Sequence, residues 1–313
     1  MCRPALWPRL SNLDLSSLDL SSLDRVGRSF VLPMTTHEVG GMSEWNAMTY
    51  EGKDTILRVV REQAGQMFAL AEQPDAWQSK TACENWEVRD VIGHLVDTTE
   101  GYFRAFDIAR TGATAENAYG LLGMHERAGD SAQAFRSLSQ AEMLTRVRKD
   151  LDQMMGILEP LNAEEWTTMI VPHFYMGPVP AFIYAAGQLM DYGVHTWDIR
   201  EGEGKAHALP AEVADLLVPF MFIIWQATMK PDADRTPFTI GVNITTGQNA
   251  GTTRVTVNEE GLSYEPGPVD DLPAVIEFDA GSMVLVAFGR IRAGTVRGDQ
   301  ALGDRFLNLF HWI

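Results

Sequence analysis

Hydrophobic residues in the first two-thirds of the chain recur at spacings of three and four, the repeat of amphipathic helices. This pattern predicts five helical segments, which are 49–74, 81–111, 131–158, 179–200 and 211–229. Pro74 and Pro160 lie at the ends of the first and third segments, as expected of residues that cannot continue a helix. Four long helices joined by short or medium connections favour a four-helix bundle, which we place at 45–230.

The pattern changes after a linker, 230–237, that contains proline and aspartate. The stretches "FTIGVNITTG", "TTRVTVNEEGLSYEPG" and "AVIEFDA" contain alternating β-branched residues separated by Gly and Asn turns, so they predict short strands. Helices are expected around 280–288 and 299–309. The predicted fold is therefore α+β in two domains, the bundle followed by a small α+β domain at 237–313.

The first 42 residues differ from the rest, because "LSNLDLSSLDLSSLD" is a five-residue unit repeated three times. A basic start followed by an apolar core is lacking, so a secretory signal is not predicted. We expect 1–42 to be either a disordered leader or translated upstream sequence. In the second case the start would be Met34, Met42 or Met48.

Composition limits the classes of partner. Of 313 residues, 45% are hydrophobic and 21% are charged, which is typical of a globular protein. The net charge of −17 argues against sequence-independent binding to nucleic acid or to an anionic membrane. The densest apolar run, 215–229, is short and contains Pro219, so we interpret it as a buried helix.

Two cysteines, Cys2 and Cys83, lie far apart and form no CxxC motif. This usage fits a reducing cytoplasm, without a disulfide scaffold or a cysteine-based metal site. The expected partner is a small-molecule substrate, and no obligate protein partner is predicted.

Two motifs could carry chemistry. In "DYGVHTWDIREG", Asp191, His195 and Asp198 lie on one face of a helix, and "WEVRDVIGHLVD" contains His94. A carboxylate and an imidazole at i and i+4 can bind one cation, and His94 from a facing helix would complete three protein ligands with one position left open. The alternative is that these residues are ordinary polar members of two amphipathic helices.

A carboxylate lies near each candidate histidine. Asp198 could accept the second N–H of His195 and fix its tautomer, and Asp97 could do the same for His94. His173, in "VPHFYMGP", could line the mouth of a pocket, or it could be structural.

Arg290 and Arg292, in "FGRIRAGTVRGD", could bind a carboxylate substrate, or they could belong to a solvated segment. The glycines around them form no phosphate-binding loop, so a nucleotide site is not predicted.

The paired motifs "WEVRDVIGHLVD" and "DYGVHTWDI" resemble the signature of the mycothiol-dependent maleylpyruvate isomerase family, a branch of the DinB-like metal-binding four-helix bundles. The resemblance covers about 45–230, and 237–313 resembles the sterol-carrier-like C-terminal domain of that family. It implies that a divalent metal, usually zinc, is bound by His94, Asp191 and His195. The sequence departs from the family at Asp191, where the family carries glutamate, one methylene longer.

The resemblance also implies an activity. In the family a low-molecular-weight thiol such as mycothiol adds to a small electrophile, so we expect a metal- and thiol-dependent isomerase or S-transferase. A Lewis-acid metal suits this chemistry because it stabilises the nucleophilic thiolate. The alternative is a non-catalytic metal-binding bundle whose C-terminal domain binds a lipid or another apolar ligand, and the shortened side chain of Asp191 favours it. A third possibility is an interaction protein in which the polar stripe is solvated.

Overall fold

The structure is a computed structural model that describes residues 43–121, 124–202, 204, 207–311 and 313. The predicted leader, 1–42, lies outside the described residues. Nine α-helices occur in the described part of the chain: α1 Lys53–Ala71, α2 Val88–Thr111, α3 Met124–Gln133, α4 Gln140–Leu158, α5 Ala163–Thr168, α6 Phe182–Gly202, α7 Ala211–Thr228, α8 Ala280–Ala287 and α9 Gln300–Leu307.

Four long helices form the bundle. Helix α1 packs along α6, and α2 packs against both α4 and α6. The guanidinium of Arg148 on α4 lies 5.0 Å from the centre of the Phe68 ring on α1, which closes the arrangement. Apolar side chains of all four helices are buried between them, as the spacing of hydrophobic residues predicts.

Local signals define the helix that carries His94. Helix α2 begins at a capping box, in which Glu87 and Asp90 each accept a hydrogen bond from the backbone N–H of the other. It ends at Gly112, whose φ of 68° is the left-handed conformation that glycine adopts readily. These ends fix the position of His94 in the second turn of the helix.

Two expectations for the middle of the chain are wrong in detail. The single helix predicted at 131–158 is two helices, α3 and α4, because Ser139 starts a new one. The Ser139 hydroxyl accepts from the Glu142 N–H, and the Glu142 carboxylate accepts from the Ser139 N–H. The connection expected to be irregular contains α5 and a hairpin of β1 Ile170–His173 and β2 Gly177–Pro180.

The C-terminal part is built on a five-stranded sheet of β3 Phe238–Ile244, β4 Gly251–Asn258, β5 Gly261–Pro266, β6 Ala274–Phe278 and β7 Thr295–Gly298. The strand order is β5-β4-β3-β6-β7, and only the β3–β6 pair is parallel. Strand β7 lies in "FGRIRAGTVRGD", a segment for which no strand is predicted from the sequence. Helices followed by a sheet confirm the predicted α+β fold class.

Helix α7 connects the two parts, since it packs against α6 on one side and against α8 and β5 on the other. It is long and apolar enough to cross a membrane by length and composition, but 72% of it is buried inside the protein. That burial is expected of a core helix. The described residues from 43 onward belong to one compact unit, so the boundary proposed at 230–237 stays a prediction.

Candidate metal centre

The three predicted metal ligands lie together between α2 and α6. One donor atom from each of His94, Asp191 and His195 lies within 4.8 Å of the other two. Nε2 of His94 is 3.3 Å from Oδ1 of Asp191, and the two imidazole rings meet edge to face with centroids 5.2 Å apart. All three side chains are half-buried.

This convergence depends on the close approach of two helices. Asp191 and His195 are one turn apart on α6, so they present their donors on the same face. Gly187, one turn before Asp191, permits the contact with α2, because a Cβ there would lie 2.6 Å from the Tyr102 hydroxyl. The Tyr102 ring itself packs against Tyr184, with centroids 4.7 Å apart.

Asp198 orients His195. Its Oδ2 lies 2.8 Å from Nδ1 of His195, and its side chain is fully buried. Burial alone would raise the pKa of Asp198, but the hydrogen bond from His195 and the positive charge of Arg290 outweigh it and hold that pKa well below its usual range. An ionised Asp198 accepts the Nδ1–H of His195, so the Nε2 lone pair is available to a metal.

The electrostatics around His195 favour a neutral ring. Burial lowers the pKa of His195, and the hydrogen bond to Asp198 only partly opposes this effect. A neutral imidazole is the form that binds a metal ion. The site is therefore ready for a cation without first losing a proton from His195.

The partner of His94 differs from the one predicted. Thr98, one turn along α2, has its hydroxyl 3.5 Å from Nδ1 of His94. Asp97, which was proposed for this role at i+3, lines the adjoining cavity. There the negative charge of Asp97 contributes, after burial, to raising the pKa of Tyr175.

The donor set fits a divalent cation. Oδ2 of Asp191 is buried, and no hydrogen-bond partner for it occurs among the described residues. A buried carboxylate oxygen without a partner is unfavourable, and a metal ion would satisfy it. Two imidazoles and one carboxylate, with a fourth position open, form a ligand set that zinc uses in catalytic sites.

A cavity of about 1070 Å³ adjoins the three ligands, and we call it the central cavity. Residues of the bundle and of the C-terminal part line it together. Of the two arginines proposed for substrate binding, Arg290 lines this cavity. Arg292 is exposed and lies outside the lining, so the structure does not bring it to the site.

His173 also lines the central cavity, but its hydrogen bonds are local. Its Nδ1 accepts the backbone N–H groups of Tyr175 and Met176, each at 3.2 Å, and its ring stacks on Phe174. Burial lowers the pKa of His173 to about 4. His173 is therefore a neutral part of the cavity wall.

Sequence reasoning missed two residues that touch the site. The Trp86 ring lies 5.2 Å from the ring of His94 and 5.8 Å from that of His195. The Cys83 thiol donates to Asp198 at 3.1 Å, and burial raises its pKa to about 12. Both precede α2 in "CENWEV", and the available signal was Trp86, the first residue of the motif "WEVRDVIGHLVD".

Cys83, His195 and Asp198 form a second group whose donor atoms lie within 4.8 Å of one another. This group is a poor cation site, because the guanidinium of Arg290 already binds Asp198 through two hydrogen bonds. The first group, with its unpartnered carboxylate oxygen, is the candidate metal centre.

The family profile of the mycothiol maleylpyruvate isomerase N-terminal domain matches residues 60–200. The match spans a little under half of the chain, so this part of the protein is similar to that domain. The match includes His94, Asp191 and His195, whereas Arg290 lies outside it.

Two solved structures with this fold extend the likeness. The crystal structure of the mycothiol-dependent maleylpyruvate isomerase superposes with a TM-score of 0.53 at 14% identity, over 78% of this chain and 92% of that one. A histidine-to-alanine mutant of the mycothiol-dependent maleylpyruvate isomerase gives 0.52 at 13% identity over the same shares. A search of curated protein sequences found no match.

The superposition covers 78% of this chain, a larger share than the described residues before β3 make up. It therefore extends into the C-terminal sheet region. At these identities the likeness establishes the fold. The part of the chain that matches the family profile thus contributes the three candidate ligands, and the C-terminal part contributes the arginine that holds Asp198.

Proposed function

We propose that this protein is a metal- and thiol-dependent enzyme that uses a low-molecular-weight thiol, mycothiol or a similar one, to isomerise or S-conjugate a small electrophile. The observation that carries the proposal is the meeting of His94, Asp191 and His195 at the central cavity, with one Asp191 oxygen unpartnered. The match of 60–200 to the mycothiol maleylpyruvate isomerase domain family supports the thiol cosubstrate.

The three ligands have distinct parts in this proposal. His94 and His195 supply neutral nitrogen donors, and Asp191 supplies the negative charge that favours a divalent ion, expected to be zinc. When bound, that ion would supply Lewis acidity that lowers the pKa of the thiol cosubstrate. Asp198 and Arg290 keep the His195 ring oriented throughout.

Asp191 is shorter than the glutamate expected from the family, and the packing supports it as a ligand nonetheless. Its Oδ1 comes within 3.3 Å of Nε2 of His94, so the two donors are already neighbours. The close approach of α2 and α6 at Gly187 compensates for the missing methylene.

The surroundings of Cys83 support an external thiol as the nucleophile. Its thiol donates to the buried Asp198, and Nη2 of Arg290 lies 3.6 Å from the sulfur. These contacts hold Cys83 at the side of His195 that faces Asp198. A thiol that enters from the central cavity can reach the open metal position instead.

Metal analysis tests the proposal. The wild type should purify with, or take up, one equivalent of zinc and show thiol-dependent turnover, and Asp191→Asn and His195→Ala should lose both. For zinc content Asp97→Asn is the matched control, because Asp97 is also a half-buried aspartate lining the cavity but is not one of the three ligands. For turnover the control is Asp107→Asn, at an exposed aspartate. Full activity of a metal-free preparation would contradict the proposal.

The alternative is a binding protein that holds an apolar ligand. It has some support, because Phe288, Phe310 and Ile313 of the C-terminal part line the central cavity. Native mass spectrometry of the purified protein separates the two: a co-purifying lipid together with no thiol-dependent turnover would favour the binding protein. A cytoplasmic location, and the lack of nucleic-acid, membrane and obligate protein partners, stay predictions.

A further inference from the structure

The charges around the central cavity are mainly negative. Apart from imidazoles, the described lining has four carboxylates, Glu84, Asp97, Glu126 and Asp191, and two cationic side chains, Lys230 and Arg290. A bound divalent cation would not reverse this balance if Arg290 is already neutralised. Whether the guanidinium of Arg290 is already paired within the protein therefore decides whether the cavity can bind an anion.

The guanidinium of Arg290 is fully engaged within the protein. Nε and Nη2 donate to the two oxygens of Asp198 at 2.8 and 3.1 Å. Nη1 donates to the main-chain oxygens of Phe288 and Ile313, each at 2.9 Å. Nη2 also lies 3.6 Å from the Cys83 sulfur. A carboxylate substrate would therefore have to displace a group that Arg290 already binds, and displacing Asp198 would leave that buried carboxylate without its cation.

The remaining cation is a weak anchor for an anion. Nζ of Lys230 donates to the main-chain oxygen of Asn308 at 2.8 Å. A flexible ammonium offers a carboxylate no planar fork, and the lining contains four carboxylates against this one remaining cation. A dianion entering the cavity would meet repulsion that one ammonium does not offset.

The wall of the cavity suits an apolar body. The Phe174 ring lies 5.0 Å from the rings of His173 and Tyr175 and 6.0 Å from that of Tyr102. Phe174 lies against α2 at Gly101, where a Cβ would come within 2.7 Å of its ring. Each aromatic ring offers a large apolar contact area at little conformational cost.

We propose that the central cavity accepts an uncharged electrophile with an aromatic or otherwise apolar body, and that it discriminates against dicarboxylates. This inference rests on the proposed function, since it names the substrate class of the same site. Placing a dicarboxylate in this cavity costs desolvation and like-charge repulsion, whereas an apolar body gains the burial of its surface.

Binding measured without thiol tests this inference. The probes are methyl cinnamate, which is neutral and aromatic, cinnamate, which adds one charge, and maleate, which has two charges and no ring. Isothermal titration calorimetry on the full chain, with and without zinc, should give methyl cinnamate at least about tenfold tighter binding than either anion, the equivalent of one charge interaction at a partly solvated site. Equal or tighter binding of maleate, or no binding of methyl cinnamate, would overturn it.

Two pairs of variants locate the preference. Asp97→Asn should improve cinnamate binding about threefold by removing one like charge, while Asp107→Asn, exposed on the same helix, should not. Phe174→Ala should weaken methyl cinnamate binding about tenfold through lost contact area. Tyr50→Ala, at an exposed aromatic outside the cavity, should leave it unchanged. Unfolding curves check that each variant is folded, and an Asp97→Asn protein with unaltered preference would contradict the electrostatic argument.

The outcomes separate this inference from the proposed function. A protein that binds zinc at the three ligands and turns over with thiol, yet prefers maleate, would keep the proposed function and refute the substrate class. A protein that prefers methyl cinnamate but never binds zinc would support the substrate class and refute the proposed function.

Discussion

Arg290 and Asp198 form a two-pronged ion pair that joins the C-terminal part to the candidate metal centre in the bundle. Nε and Nη2 of Arg290 bind separate oxygens of Asp198, and Asp198 in turn holds Nδ1 of His195. The orientation of a candidate metal ligand on α6 thus depends on a residue that follows α8.

Arg290→Ala should weaken zinc binding. Removing the guanidinium leaves Asp198 buried and unpaired, and loss of a partner behind a ligating histidine costs about 10–100-fold in metal affinity. Competition against a chromophoric chelator measures the zinc affinity. The free energy of unfolding should also fall by roughly 3–5 kcal/mol. Arg292→Ala, at an exposed site two residues away, is the control. Wild-type affinity in Arg290→Ala would show that the ion pair has no role in orienting His195.

Gly187→Ala should disturb the contact between α2 and α6. The new Cβ would lie 2.6 Å from the Tyr102 hydroxyl, and Tyr102 cannot easily move because it packs against Tyr184. We expect a loss of about 1–3 kcal/mol in stability, typical of overpacking, together with weaker zinc binding.

Gly65→Ala is the matched change within a helix, because a Cβ at Gly65 meets nothing within 4 Å. It should stabilise the protein by up to about 1 kcal/mol through helix propensity. Chemical denaturation of both variants gives the comparison, and equal effects would argue against a close approach at Gly187.

Asp191→Glu should retain zinc where Asp191→Asn does not. The longer carboxylate keeps its charge and is the residue expected from the family, so we predict an affinity within about tenfold of wild type, a modest change for a kept ligand type. Zinc titration of the two variants gives the result. Loss of zinc in both would mean that the spacing between α2 and α6 has become specific for aspartate.

Asp150 makes the stability depend on pH independently of the metal centre. Burial, reinforced by the negative charge of Glu100, raises the pKa of Asp150 to about 6, and its Oδ2 is buried without a hydrogen-bond partner among the described residues. Because this pKa lies above the ordinary value, the folded state favours the protonated carboxyl. The stability that the protonated Asp150 contributes is therefore present below about pH 4 and is lost as the pH rises through about 6.

Asp150→Asn should accordingly be more stable than wild type at pH 7.5, with the difference shrinking towards pH 5. Thermal unfolding across this range measures it, with the exposed Asp152→Asn as the control. A gain in stability that does not change with pH would show that it does not come from the titration of Asp150.

The sequence predicted the long helices and the candidate ligands for physical reasons. Apolar residues at helical spacing require a buried face, and a D-x-x-x-H pair presents two donors on one face of α6. The division between α3 and α4 was also visible, since Ser139 and Glu142 have the spacing of a capping box. That signal was overlooked.

Other features depend on tertiary packing and leave little local trace. The partner of Arg290 is 92 residues away, and nothing in "FGRIRAGTVRGD" indicates Asp198 rather than a substrate. The choice of Thr98 over Asp97 beside His94 depends on the direction of the side chains. The β1–β2 hairpin, with a proline in β1 and two in β2, has too short a pattern to be distinguished from a loop.

X-ray absorption at the zinc edge tests the central claim most directly, on the zinc-loaded full chain without added thiol. The account predicts a shell of nitrogen and oxygen only, at about 2.0–2.2 Å, with scattering from two imidazoles, and His94→Ala should lose the bound zinc as the other ligand variants do. A sulfur neighbour at about 2.3 Å would place the ion at Cys83, and an unchanged spectrum in His94→Ala would remove that histidine from the site. Either result would contradict the account.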